Sequence, residues 1–88
     1  MNTVPLEVYS TERNMAIVTP PGRRFPGIVI QGDTLHELFV AAEKVEERAK
    51  QSGDAELAAW AGKVSGEIGN LHAHYERVMM EHGVRLPY

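Results

Sequence analysis

Histidine changes charge near neutral pH and is the commonest metal ligand, so the four histidines of this chain are the first candidates for chemistry. His72 and Glu76 stand four residues apart, a spacing that puts both on one helix face and suits metal ligation, while His74 is turned away. A zinc site takes three or four ligands with supporting contacts behind them. Here there are two, and the chain has no cysteine to add a thiolate. The pair therefore reads as a surface or interface histidine and its neighbour, and no metal or cofactor is expected. His36 falls in the first turn of a helix, and His82 lies near a helix end, where its charged form suits the negative pole of the dipole. Asp33, in Gln31-Gly32-Asp33-Thr34, could be imagined as a carboxylate base. No second carboxylate, lysine or histidine is tied to it by motif spacing, and the segment reads as a strand-to-helix turn with Gly32 at a tight backbone position. Ser10, Ser52 and Ser65 lie in no nucleophile elbow. An enzyme, whether metal-dependent or hydrolytic, would have to be built from His72, Glu76 and Asp33. No residue is assigned a catalytic role, and the chain reads as a non-enzyme.

The elements that would position these residues are bounded by composition. Eighty-eight residues leave room for a single domain, 1–88, with a thin core. Disulfides cannot reinforce it, and a cysteine-free chain fits a reducing cytoplasm. The opening residues lack the basic-then-apolar form of a secretion signal, and no run of apolar residues is long enough for a membrane span. A small domain without disulfides or metal often gains stability from a partner subunit. The net charge of −3 offers no footprint for nucleic acid. Its distribution is uneven: residues 31–56 carry seven acids against three bases, whereas residues 1–30 are slightly basic through Arg13, Arg23 and Arg24.

The pattern predicts an α+β fold, a three-stranded antiparallel β meander over 1–32 followed by two helices forming a hairpin. Leu6 and Val8 alternate with Glu7 and Tyr9, the period of a half-buried strand. A polar turn follows, in which Asn14 can take positive φ. Met15–Thr19 is the second strand, closed by Pro20-Pro21-Gly22. Gly27–Gln31 is the third and most apolar strand. At Asp33-Thr34 the period changes. Thr34 and Glu37 form a capping box, and Leu35, Leu38, Ala42, Val45 and Ala49 make an apolar stripe along a helix over 34–52. Ser52-Gly53-Asp54 closes it and caps the next. In the second helix, 54–82, Leu57, Ala61, Val64, Ile68, Leu71, Tyr75 and Val78 repeat with coiled-coil spacing. That helix would be ~42 Å long, more than the shorter first helix can cover. Either Gly66 and Gly69 break it, or its far half packs against a partner; the unbroken apolar period favours continuity. Gly62-x-x-x-Gly66 signals close approach to a neighbour, and the tail, 83–88, is either a short edge strand or frayed.

Two surfaces suit recognition. Arg23, Arg24 and Phe25 sit among three prolines and two glycines, and a stiff loop with arginine and an aromatic side chain is typical of interface anchors. The alternative is that Phe25 folds under the sheet while the arginines pair with acids of the first helix. Glu43, Glu46 and Glu47 form an acidic helix face, and Ile68, Leu71, Tyr75 and Val78 form the seam expected to make a homodimer.

The run Arg23-Arg24-Phe25-Pro26-Gly27-Ile28-Val29-Ile30-Gln31-Gly32-Asp33-Thr34-Leu35 resembles the hallmark, R-x-F-P-G-x-x-x-Q-G-D-[ST]-L, of a small bacterial family classed as a domain of unknown function. Over about residues 15–50 the chain is also similar to the HicB-type antitoxin domain, in which a strand ending in a Pro-Gly-x-x-x-Gln-Gly-Asp-Thr pattern leads into a capped, Glu-rich helix. That resemblance implies a sheet with a helix on one face and a protein that occludes a small toxin. HicB-type proteins commonly follow the sheet with a DNA-binding element, and here a heptad helix of balanced charge stands in its place. The functional expectation is a cytoplasmic protein-binding module, resembling an antitoxin or immunity protein, that neutralises or regulates a protein partner without contacting nucleic acid or membrane. A homodimeric scaffold with no toxin partner is the alternative.

Overall fold

The computed structural model describes residues 3–12 and 16–88. The chain divides into two compact units, Met1–Gln31 and Gly32–Tyr88. The boundary falls where the apolar period changes from that of a strand to that of a helix.

The first unit is a three-stranded antiparallel sheet in the order β1-β2-β3, with β1 at Glu7–Ser10, β2 at Ile17–Thr19 and β3 at Gly27–Ile28. Val8 pairs with Val18, and the register shifts between Val8 and Ser10, so Tyr9 marks a bulge in β1. Ile17 pairs with Ile28 and Val18 with Gly27. The expected turn at Asn14 and the Met15 end of the second strand lie outside the described residues. Between β2 and β3 the Arg23 N–H donates to the Pro20 carbonyl at 3.1 Å, and Gly22 at φ 77° takes the left-handed position that this Pro-Gly turn requires.

The sheet is thinner than its sequence suggests. Val18 is its one buried hydrophobic residue among those described, and the expected alternation in β1 does not translate into burial, since Leu6 and Val8 are both exposed. The third strand is two residues long rather than five. Its partner β2 has only three residues to offer, and one further bond, from Val29 N–H to the Ala16 carbonyl, carries the pairing past Ile28. Ile28, Val29 and Ile30 are all exposed.

The second unit is an antiparallel helical hairpin, α1 at Gly32–Gln51 and α2 at Ala55–Glu81. The first helix starts two residues earlier than the period suggests. Thr34 is therefore inside the first turn, its N–H bonded to the Asp33 carboxylate at 2.8 Å, and the Thr34–Glu37 capping box is not formed. At the hairpin turn Gly53 takes φ 79°, and the Asp54 side chain accepts the Leu57 N–H at 3.0 Å as N-cap. The second helix runs unbroken through Gly66 and Gly69. It ends in a left-handed cap: Gly83 sits at φ 65°, its N–H reaches the Met80 carbonyl, and Val84 N–H reaches that of Met79 at 2.8 Å. No strand follows this cap, so the tail is not an edge strand.

The helices meet through small residues. Leu35, Ala42 and Ala49 of α1 and Ala61, Ser65 and His72 of α2 are buried. Glu46 lies beside Gly62 and Phe39 beside Gly69, and a Cβ on Gly32 would collide with the ring of Tyr75. Close approach thus occurs at Gly62 and Gly69, while Gly66 faces open space. The predicted stripes are only half used. Ala42, Ala49 and Ala61 are buried, whereas Leu38, Val45, Leu57, Val64 and Leu71 from the same stripes are exposed.

Candidate functional site

The densest group of titratable side chains closes the open end of the hairpin. His36, one turn into α1, and His72, two thirds of the way along α2, come level because the helices run antiparallel from the Gly53 turn. His36 Nδ1 and His72 Nε2 are 2.9 Å apart. The Gly83 cap reverses the chain, and Tyr88 stacks on His36 at 3.8 Å between ring centroids with planes 13° apart. Its hydroxyl donates to Glu76 Oε2 at 2.8 Å and stands 3.2 Å from His72 Nε2. Phe39 stacks on His72 at 4.1 Å.

Tyr88 has one hydroxyl hydrogen, and it goes to Glu76. His72 Nε2 thus lies within hydrogen-bond reach of both the Tyr88 oxygen and His36 Nδ1. This leaves His72 Nδ1 facing Glu76 Oε1 at 3.8 Å. Loss of water, then the hydrogen bond and charge of Glu76 and the charge of Tyr75, together push the Tyr88 phenol up to about 12, although the residue as a whole stays 43% exposed.

This group is a clasp. The surface or interface histidine expected at position 72 is instead 6% exposed, its ring stacked on Phe39 and its Nε2 in contact with His36 and Tyr88. His36, expected to be an ordinary first-turn residue, is its principal partner. Asp33 is held against the backbone of Thr34 and shares no described contact with His72 or Glu76. His74 pairs with Arg77 at 2.8 Å, and His82 is the C-cap residue of α2. Among the described residues no three His, Asp or Glu side chains converge to hold a metal ion. The signal that could have revealed the clasp was the spacing of His36 and Tyr88 from His72 once an antiparallel hairpin is assumed.

The predicted recognition residues fall on separate surfaces. Phe25 is 73% exposed, with the Arg24 guanidinium 5.5 Å from its ring centroid, within cation–π range. Phe25 is therefore not folded under the sheet, and among the described residues neither Arg23 nor Arg24 joins an ion pair. On α1, Glu43 and Glu47 are exposed, but Glu46 is half-buried beside Gly62 with its carboxylate 3.4 Å from Lys50. Of the four seam residues Ile68, Leu71, Tyr75 and Val78, only Leu71 is mostly exposed; Tyr75 packs on the start of α1. The exposed apolar row on α2 is Leu57, Trp60, Val64 and Leu71. Trp60 was absent from the predicted stripe, although it stands three residues after Leu57 and four before Val64.

No described helix is long and apolar enough to cross a membrane. No curated protein and no solved structure matches the chain. Residues 1–88 match the family of unknown function DUF6959, and the chain belongs to that family.

Proposed function

We propose that this chain is a small cytoplasmic, non-catalytic protein-binding module that neutralises or regulates a partner by covering it, in the manner of an antitoxin or immunity protein. The observation that carries this reading is the Arg23-Arg24-Phe25 loop. A large aromatic side chain stands mostly in solvent, between proline-limited turns with an arginine over its ring. Such a group is already ordered and loses little entropy on docking. Glu43 and Glu47 supply an acidic surface suited to steering a basic partner. The clasp supports the non-catalytic part of the reading, because its imidazole and phenol are engaged with one another rather than offered to a substrate.

The test is capture from the native host with the wild-type chain and with the Arg24→Ala/Phe25→Ala variant, followed by co-expression with the captured protein. A partner that dissociates at least ten-fold faster from the variant, with unchanged circular dichroism, supports the loop as anchor. A partner held equally well by both removes it.

A second reading, a homodimeric scaffold, is favoured by the apolar row on the hairpin. Leu57, Trp60, Val64 and Leu71 are too large and too regularly spaced to be scattered surface residues.

A further inference from the structure

We infer that the helical hairpin pairs with a second copy of itself through the face formed by Leu38 and Val45 of α1 and Leu57, Trp60, Val64 and Leu71 of α2, giving a two-fold four-helix bundle. This deepens the homodimer reading by assigning its surface and orientation, and it is independent of the occlusion proposal.

The six residues share one face. On α1, Leu38 and Val45 each lie three residues after a member of the buried row, Leu35 and Ala42. On α2, Val64 and Leu71 each immediately precede a buried residue, Ser65 and His72. Both offsets turn the stripe in the same rotational sense away from the seam. In an antiparallel pair that sense leads to the same side of the hairpin. Val45, Ala49 and Leu57 accordingly line one shallow concavity spanning the two helices. The glycines, Glu46 and the histidine clasp occupy the other side.

A second copy is the occupant that fits. Trp60 is 62% exposed, and the other five residues are about half exposed. Together they offer on the order of 600 Å² of apolar surface, at the top of the range for the largest patch of a monomer and approaching the ~800 Å² per partner of a stable interface before any rim is counted. The rim is self-complementary. Beyond the stripe on α1 come the exposed bases Lys44 and Arg48, with the acid Glu37 two turns before Lys44; beyond it on α2 come the exposed acids Glu56 and Glu67, with Lys63 bonded to Glu67 at 2.9 Å. A two-fold axis parallel to the helices lays α1 of each copy on α2 of the other. It thereby sets the basic rim against the acidic one. It also preserves level along the bundle. Because Glu46 stands beside Gly62 and Phe39 beside Gly69, Arg48 comes level with Trp60, one turn from Glu56. Each copy supplies both halves of every contact, so the surface closes as a dimer and leaves no row open to extend it.

Light scattering and sedimentation of the full chain at tens of micromolar should give twice the 9.8 kDa chain mass. Fluorescence of Trp60, the single tryptophan, should move to the red as the protein is diluted to monomer. Val64→Asp with Leu71→Asp should weaken association at least 100-fold while leaving helical circular dichroism intact, since both side chains are exposed. Arg48→Glu alone should weaken it, and Arg48→Glu with Glu56→Arg should restore it. A monomeric wild type overturns both the dimer reading and this surface. A dimer that survives Val64→Asp/Leu71→Asp overturns the surface but not the dimer. Failure of the double charge exchange to restore a dimer lost in the single variant overturns the orientation.

Discussion

The sheet and the hairpin of this chain use apolar residues in opposite ways. In the sheet, branched and aromatic residues are plentiful, yet among the described residues Val18 alone is buried, and Leu6, Val8, Phe25 and Ile28 face solvent. In the hairpin the buried row is made mostly of small residues, with alanines at 42, 49 and 61, Ser65, and the neighbouring glycines at 62 and 69. Small residues let two helix backbones approach closely, and they leave the larger leucines, valines and tryptophan for other contacts. A strong apolar pattern is thus no measure of local stability. The hairpin is held by close backbone approach and by its aromatic clasp, and the sheet by short ladders of main-chain bonds.

That contrast can be broken most directly at the clasp. His72→Ala removes a buried ring stacked on Phe39 and leaves His36 and Tyr88 without their shared partner, so urea denaturation followed at Trp60 should register a loss of about 2–4 kcal/mol. An effect no larger than that of a surface substitution would mean that alanine packing alone holds the hairpin. Gly32→Val should be next, at about 1–3 kcal/mol, because its side chain would enter the space of the Tyr75 ring. In the sheet, Val18→Ala truncates a buried hydrophobic side chain and should cost about 1 kcal/mol by the same measurement, whereas Ile28→Ala should stay within ~0.5 kcal/mol. Native-state hydrogen exchange would sharpen the comparison without mutation. Amides of α1 and α2 flanking Ala42 and Ser65 should be protected well beyond those of β1 to β3.

The smallest effect expected is in pH dependence. The Tyr88 phenol is raised from 10 to about 12, so the folded state keeps a proton that the unfolded chain releases first. Its contribution is fully present below pH 10 and is lost as pH rises through 12. Tyr88→Phe should flatten stability across that window and change little below it; identical slopes in both proteins would show that the hydroxyl is not held as described.

The fold class and the order of elements were legible because each depends on local pattern: the change of period after Gly32, the Pro-Gly turn, the Gly53-Asp54 stop and start. The capping box was misread because α1 begins earlier, and a start two residues upstream turns a cap into a first-turn residue. The length of β3 was misread because apolar content says nothing of how many partner residues remain to pair with. In α2 the stripe was correctly seen as apolar, but its rotation about the helix axis was not. The seam falls along a line of alanine, serine and histidine that a search for large apolar residues passes over. The clasp was invisible for a different reason. His36, His72 and Tyr88 are brought together by a chain reversal and a helix cap, and their spacing carries meaning only once the hairpin is assumed.

The Gly53 turn also has a kinetic consequence. Contacts across the hairpin pair residues at steadily growing sequence separation from that turn, and the His36–His72 contact closes a separation of 36 residues. Loop-closure entropy grows with separation, so the chain should zip from the turn outward and fasten the clasp last. Gly53→Ala, strained at φ 79°, should then slow refolding. Loss of the clasp should leave the refolding rate nearly untouched and appear as faster unfolding, which makes the far end of the hairpin the part that sets how long the folded state survives.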